Sequence, residues 1–190
     1  MRSHLSGKLL EYKNIAKKEG NMRISALLLS LMISCTACAE PVTVSSLDLD
    51  RYLGRWYEIA SFPMYFQRMC IADTTAEYTK QGDDKIAVLN RCRKQDGSFA
   101  EASGHASVVP HSGNAKLKVS FFWPFSADYW VFGLGDDYQW ALVGNPNHKY
   151  LWLLSRTQTI SRQDLKAALD IAKEQGFDIS QLNYTLQRED

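Results

Sequence analysis

Eight short runs of apolar, β-branched and aromatic residues follow one another between Trp56 and Ser155, and this succession constrains the chain more than any other feature. The runs are Trp56–Ala60, Ala72–Tyr78, Ile86–Arg93, Gly104–Val109, Lys116–Phe122, Tyr129–Leu134, Gln139–Gly144 and Tyr150–Ser155, with Gly, Pro, Asn or Asp in every interval. Such spacing predicts an up-and-down antiparallel meander. Lys116 to Phe121 alternates polar and apolar residues, so one sheet face is wet while Leu117, Val119 and Phe121 point to a dry one. Aromatics make up 12% of the chain, with five Trp and nine Tyr, which suits strands that bury large flat side chains.

Two helical segments flank the meander. Ser45–Leu53 reads as a short turn ending at Gly54. Ser161 can cap a helix with Asp164 three residues on, and Leu165, Ala168, Leu169 and Ala172 form its apolar stripe before Gly176 ends it. The stripe is narrow, which places this helix on the outside of a sheet. At 190 residues the chain suits one main domain.

Residues 1–39 are set apart from that domain. Ile24 to Ile33 is an apolar run preceded by Arg23 and followed by small residues, the three-part pattern of a secretory signal, and it is too short for a membrane span. Met22 stands directly before Arg23, so the first 21 residues read either as an upstream start or as a cytoplasmic extension. Two cleavage sites compete. Met32-Ile33-Ser34-Cys35 resembles a bacterial lipobox, which makes Cys35 a lipidation site; Ala37-Cys38-Ala39 resembles an ordinary A-x-A site before Glu40. The expected division is 1–39 extension and signal, 40–190 folded domain.

The whole chain has 22 Lys+Arg against 21 Asp+Glu, and losing residues 1–39 removes six of the former and two of the latter, leaving a net charge of −3. No basic field for nucleic acid results. Cys70 and Cys92 are the two cysteines left in an exported chain, and they read as one disulfide or, alternatively, two buried thiols. Pairing Tyr78 with Ile86 in the hairpin around Gln81-Gly82-Asp83-Asp84 brings Ala72 opposite Cys92 and Cys70 within a bulge of it. His105, His111 and His148 are scattered without metal-ligand spacing, and Cys35-Thr-Ala-Cys38 lacks the βαβ context of a redox pair. No G-x-S-x-G, phosphate-binding Gly-rich loop or readable nucleophile and base pair occurs, so no catalytic residue, metal or cofactor is expected.

Gly54-Arg55-Trp56-Tyr57-Glu58-Ile59-Ala60, directly after the helical turn, resembles the lipocalin signature. Asn90-Arg91-Cys92, Asp128-Tyr129-Trp130, Leu142-Val143-Gly144 and Tyr150 to Thr157 (YLWLLSRT) follow in the family's order. The ordered set covers about Leu47 to Leu186 and looks most similar to bacterial outer-membrane lipocalins. The resemblance implies an all-β fold with one helix: an eight-stranded up-and-down antiparallel barrel, or calyx, with a C-terminal α-helix packed outside. Such a barrel has room for one small ligand. It also implies that Trp56 plugs the narrow end and that Arg156 packs over it, a structural pair rather than a site.

Strand parity supplies candidates for the cavity wall. Glu58 and Ala60 share the phase of Trp56, Ala76 that of Tyr78, Val88 that of Asn90, Val131 that of Tyr129 and Leu154 that of Trp152. The expected ligand-binding residues are Tyr78, Val88, Asn90, Leu117, Val119, Phe121, Tyr129, Val131, Trp152 and Leu154. Glu58, Asn90 and the tyrosine hydroxyls are the polar handles, unless they satisfy one another within the wall. The implied partner is a fatty acid or lysophospholipid, with attachment to the outer membrane, facing the periplasm, through a lipid anchor. A soluble periplasmic protein, a lipocalin-fold enzyme and a scavenger of another hydrophobic molecule are the rival readings, and the oligomeric state stays open, a dimer included.

Overall fold

The computed structural model describes residues 40–188, Asp84 excepted. Residues 1–39, with Cys35, both candidate cleavage sites and the signal, lie outside the described residues. The described chain runs through α1 (Leu49–Tyr52), β1 (Gly54–Ser61), β2 (Cys70–Lys80), β3 (Lys85–Lys94), β4 (Phe99–Val108), β5 (Lys116–Phe122), β6 (Phe125–Leu134), β7 (Trp140–Gly144), β8 (Leu151–Ser155), α2 (Arg162–Glu174) and β9 (Asn183–Tyr184). Each of β1 to β7 pairs antiparallel with the next, and β8 returns to pair with β1, so the sheet closes into a barrel. Closure removes the exposed sheet edges that a meander of this length would otherwise carry.

Local chemistry sets the ends of the elements. The Asp48 carboxylate accepts from the Arg51 amide at the start of α1, and Gly54 opens β1 at φ +88°, in the left-handed region where a side chain is strained. In α2 the Ser161 hydroxyl accepts from the Asp164 amide and donates to its carboxylate, and Gly176 follows the helix at φ +86°.

The structure departs from expectation at several places. Strands β4 and β6 begin earlier than their apolar runs, at Phe99 and Phe125, because their first residues are exposed at the barrel rim and carry no burial alternation. Tyr78 faces Val88 rather than Ile86, and Ala72 faces Arg93 rather than Cys92. Register irregularities around Ala72 then bring the cysteines together, and Cys70 and Cys92 form a disulfide with their Cα atoms 5.4 Å apart. A ninth strand, two residues long, pairs with the end of β1.

Two apolar cores lie on the two faces of the barrel wall. Inside are Trp56, Tyr78, Ile86, Val88, Ala106, Leu117, Val131, Ala141, Val143 and Leu154. Outside, Ile59, Phe132, Trp140, Leu142, Leu151 and Leu153 pack against Ala168 and Ala172 of α2 and against Phe177. Strands β7 and β8 therefore bury both faces, the reason WALVG and LWLLS are continuously apolar where β5 alternates. Both cores and the nine strands of the described residues lie in one compact unit, Glu40–Asp190.

Candidate functional site

Neighbouring strands alternate in direction, so the loops β1–β2, β3–β4, β5–β6 and β7–β8 gather at the end of the barrel opposite Gly54 and Trp56. Exposure of inward residues rises toward that end. On β4 the inward series runs from Ala106, 2% exposed, through half-buried Gly104 to exposed Ala102; on β6 it runs from Val131 through Tyr129 to exposed Ala127. The interior is thus sealed at one end and open at the other.

The seal is built from the residues that follow α1. Trp56 is fully buried, its indole N–H donates to the Tyr52 carbonyl at 2.9 Å, and the Arg156 guanidinium lies 3.8 Å over its ring. That guanidinium also donates to the carbonyls of Leu53, Arg55 and Arg51 and, through Nε, to that of Tyr138. One side chain thereby ties the turn before β1 to the β6–β7 loop.

Above the seal lies a floor of three phenols. The Tyr129 hydroxyl is 2.6 Å from that of Tyr52 and 2.9 Å from that of Tyr78. Three hydroxyls joined by two hydrogen bonds leave one O–H proton unused within the group, a donor for a polar atom of a ligand or for water. Burial pushes Tyr78 up to about 12 and holds Tyr52 and Tyr129 well above the ordinary phenol range. An unfolded phenol ionises at about pH 10, whereas these stay protonated in the fold. Their contribution to stability should thus be intact below about pH 10 and be lost at higher pH, for Tyr78 as pH rises through about 12. Alkaline titration of the Glu40–Asp190 unit followed by phenolate absorbance should show three of its eight tyrosines ionising only as the protein unfolds; eight ionised tyrosines in a folded protein would contradict the geometry.

The residues expected on the cavity wall face the interior with one exception. Tyr78 and Val88 are paired, as are Leu117 and Tyr129, while Asn90 lies between inward Ala76 and Ala102. Val119, Phe121 and Trp152 are half-buried against the inner core, in which Val131 and Leu154 are buried. Ala60 is the exception. A register irregularity between Glu58 and Ala60 turns Ala60 outward, opposite Leu153, into the core under α2. Glu58 stays inward but is consumed by the wall, accepting from Ser61 and Gln67 at 3.2 and 3.0 Å and from the Thr185 hydroxyl.

The inner wall also contains Ile86, Ala106, Ala141 and Val143, which the sequence reading leaves out. Parity from Val88 reaches Ile86; Ala141 and Val143 sit in a strand apolar on both faces, where alternation carries no signal. A charged depression on the outer wall is lined by Arg55, Arg91, Arg93, Arg188, Asp73, Glu77 and Glu101 among others, and three of its four arginines are held in ion pairs: Arg55–Glu77 at 3.1 Å, Arg91–Glu101 at 3.4 Å and Arg93–Asp73. Among the described residues no cluster of three or more His, Cys, Asp or Glu could hold a metal ion, and no helix is long and apolar enough to cross a membrane.

A closed antiparallel barrel with a sealed floor, a dry inner wall and one open mouth defines the chain as a calyx protein. A family model described as "Lipocalin-like domain" matches residues 47–187, and the chain belongs to the lipocalin family. It is 42% identical to "Outer membrane lipoprotein Blc" of Vibrio cholerae, over 87% of this chain and 98% of that protein, and 38% identical to the Escherichia coli K12 protein of the same name, over 83% and 90%. Temperature-induced lipocalin-1 of Arabidopsis thaliana is 43% identical over 78% of this chain and 83% of its own. Among solved structures, insecticyanin from the tobacco hornworm superposes with a TM-score of 0.64 at 21% identity, covering 79% of this chain and 85% of that one, and shows the shared fold.

Proposed function

We propose that this protein is a bacterial envelope lipocalin that holds one single-chain amphipathic lipid, a fatty acid or lysophospholipid, and moves or stores it between membranes. The carrying observation is the interior: an apolar wall of Leu117, Val119, Phe121, Val131 and Leu154, with few polar groups, rising from a phenol floor to an open mouth. Such a site draws affinity from chain burial and uses a polar group only for orientation. Burying about 15 methylenes contributes on the order of 12 kcal/mol relative to water, and leaving a bilayer costs a similar amount, so exchange with a membrane is near balance. We further propose that the residues before Cys35 carry the export signal and that Cys35 is lipidated, which attaches the domain to the outer membrane on its periplasmic side; the relatives named as outer membrane lipoproteins support this.

Titration with saturated fatty acids of increasing length tests the reading. Each added methylene should tighten binding about fourfold until the chain fills the cup. Affinity independent of length, or preference for a short polar molecule, would overturn the lipid assignment; turnover of a bound lipophile by the purified protein would replace carriage with catalysis.

A further inference from the structure

The loops at the open end carry large apolar side chains in water. Tyr65, Phe66 and Met69 on the β1–β2 loop are 79, 52 and 49% exposed, and Phe122, Trp123 and Phe125 at the β5–β6 tip are 78, 88 and 76% exposed. Six such residues around one rim exceed the scattered exposure that soluble surfaces show. An aromatic series leads inward from this rim: the Phe66 ring is 5.8 Å from that of Tyr150, which stacks at 5.8 Å on Trp152 of the inner wall.

The same loops carry positive charge. The mouth loops contain Arg68 and Lys149, both exposed and making no ion pair among the described residues, and one acid, Asp96, which pairs with Lys94 at 3.7 Å. The loops at the sealed end, between β2 and β3, β4 and β5, and β6 and β7, contain four aspartates, at 83, 84, 136 and 137, and their cations stand at the adjoining strand ends, as Lys80, Lys85 and Lys116 do.

We infer that the mouth of the barrel docks onto an anionic lipid bilayer, with the Phe122, Trp123 and Phe125 tip and the Tyr65, Phe66 and Met69 loop entering the interface and Arg68 and Lys149 meeting the headgroups. Aromatic residues favour the membrane interface, and cations near it gain from anionic lipid. A second copy fits this rim poorly, because two mouths face to face would bring together the positive charges that Arg68 and Lys149 give each of them. Docked in this way, the calyx opens directly into the bilayer, and the aromatic series gives an acyl chain a path that never crosses water. The purpose of this docking rests on the lipid-carrier reading; the docking itself needs no bound lipid.

The test uses the Glu40–Asp190 unit, free of any acyl anchor, with vesicles of phosphatidylcholine alone or mixed with phosphatidylglycerol. Fatty-acid binding in solution is measured in parallel. Partition should favour the anionic vesicles, and the double variant Trp123→Ala/Phe125→Ala should lose at least tenfold in partition while retaining its fold and fatty-acid affinity. Arg68→Glu/Lys149→Glu should lose partition to the anionic vesicles selectively. Brominated lipid should quench wild-type fluorescence more than that of Trp123→Ala. Background partition by the wild type, or equal partition by the folded rim variant, would overturn the inference; so would a wild-type dimer that this variant abolishes without any change in partition. Rim-dependent partition without fatty-acid binding would leave docking standing and remove the carrier reading, and the reverse result would do the opposite.

Discussion

Trp56→Ala should lower the stability of the barrel by about 3–5 kcal/mol, the range for removing a fully buried Trp. Three losses coincide there. The indole fills the sealed end against Tyr52, with ring centroids 5.1 Å apart; its N–H satisfies the Tyr52 carbonyl; and its face receives the Arg156 guanidinium, whose cation–π contact at 3.8 Å contributes about 0.5–2 kcal/mol. Without the ring, Arg156 would hold its four carbonyls over a cavity. For a domain of this size a loss of that order shifts the melting temperature by about 10–15 °C. Trp123→Ala removes an equally large side chain from the exposed rim and should leave melting nearly unchanged. Fatty-acid affinity per folded molecule should change less than stability in Trp56→Ala, since the phenols of Tyr52, Tyr78 and Tyr129 lie between this residue and the lumen. Thermal melts of the two variants with a parallel ligand titration check the claim. Unchanged melting with abolished binding would move Trp56 from the seal to the site.

Opening the Cys70–Cys92 disulfide should cost about 3 kcal/mol. The bridge closes a loop with a sequence separation of 22, and the chain-entropy relation gives that magnitude from the freedom it removes in the unfolded state. The cost falls on the part of the β2–β3 hairpin where pairing is weakest, because the two register irregularities around Ala72 interrupt the ladder between Cys70 and Thr75. Urea unfolding of the oxidised protein and of Cys70→Ser/Cys92→Ser should differ in midpoint by the corresponding amount, with similar slopes. Alkylation of the folded, unreduced protein should label neither cysteine, and labelling of both would exclude the bridge.

The strand series was legible because turn residues punctuate every interval and because Lys116 to Phe121 alternates cleanly. Interior faces were legible wherever parity ran unbroken, as from Asn90 to Val88 or from Trp152 to Leu154. Parity failed at Ala60 because one irregularity after Glu58 reverses every later side chain on that strand, and a bulge leaves no mark in composition. The mouth-end starts of β4 and β6 were invisible because residues such as Glu101, Ser103 and Ser126 are exposed there and nothing selects an apolar pattern. Strand β9 was unreadable for a different reason: two residues carry no period, and their pairing depends on a partner far away in the chain. The phenol floor escaped as a group because Tyr52 comes from α1 while Tyr78 and Tyr129 come from strands, so no spacing relates them.

The wall between β1 and β2 is fastened in two ways. Near the sealed end the two strands pair directly, from Gly54 with Tyr78 to Tyr57 with Thr75; toward the mouth the gap is bridged by the last described residues, as Gln187 donates to the carbonyls of both Glu58 and Thr74 and the Asp73 amide donates to Leu186. Glu58 and Thr185, which also bond across this seam, are 127 residues apart in sequence. In the order of synthesis that fastener comes after all eight barrel strands. A nascent chain can pair β8 with β1, and the sealed half of β1 with β2, before residues 183–188 arrive to close the mouth half of the seam. Residues far along the polypeptide from the first strand therefore decide when its wall is finished.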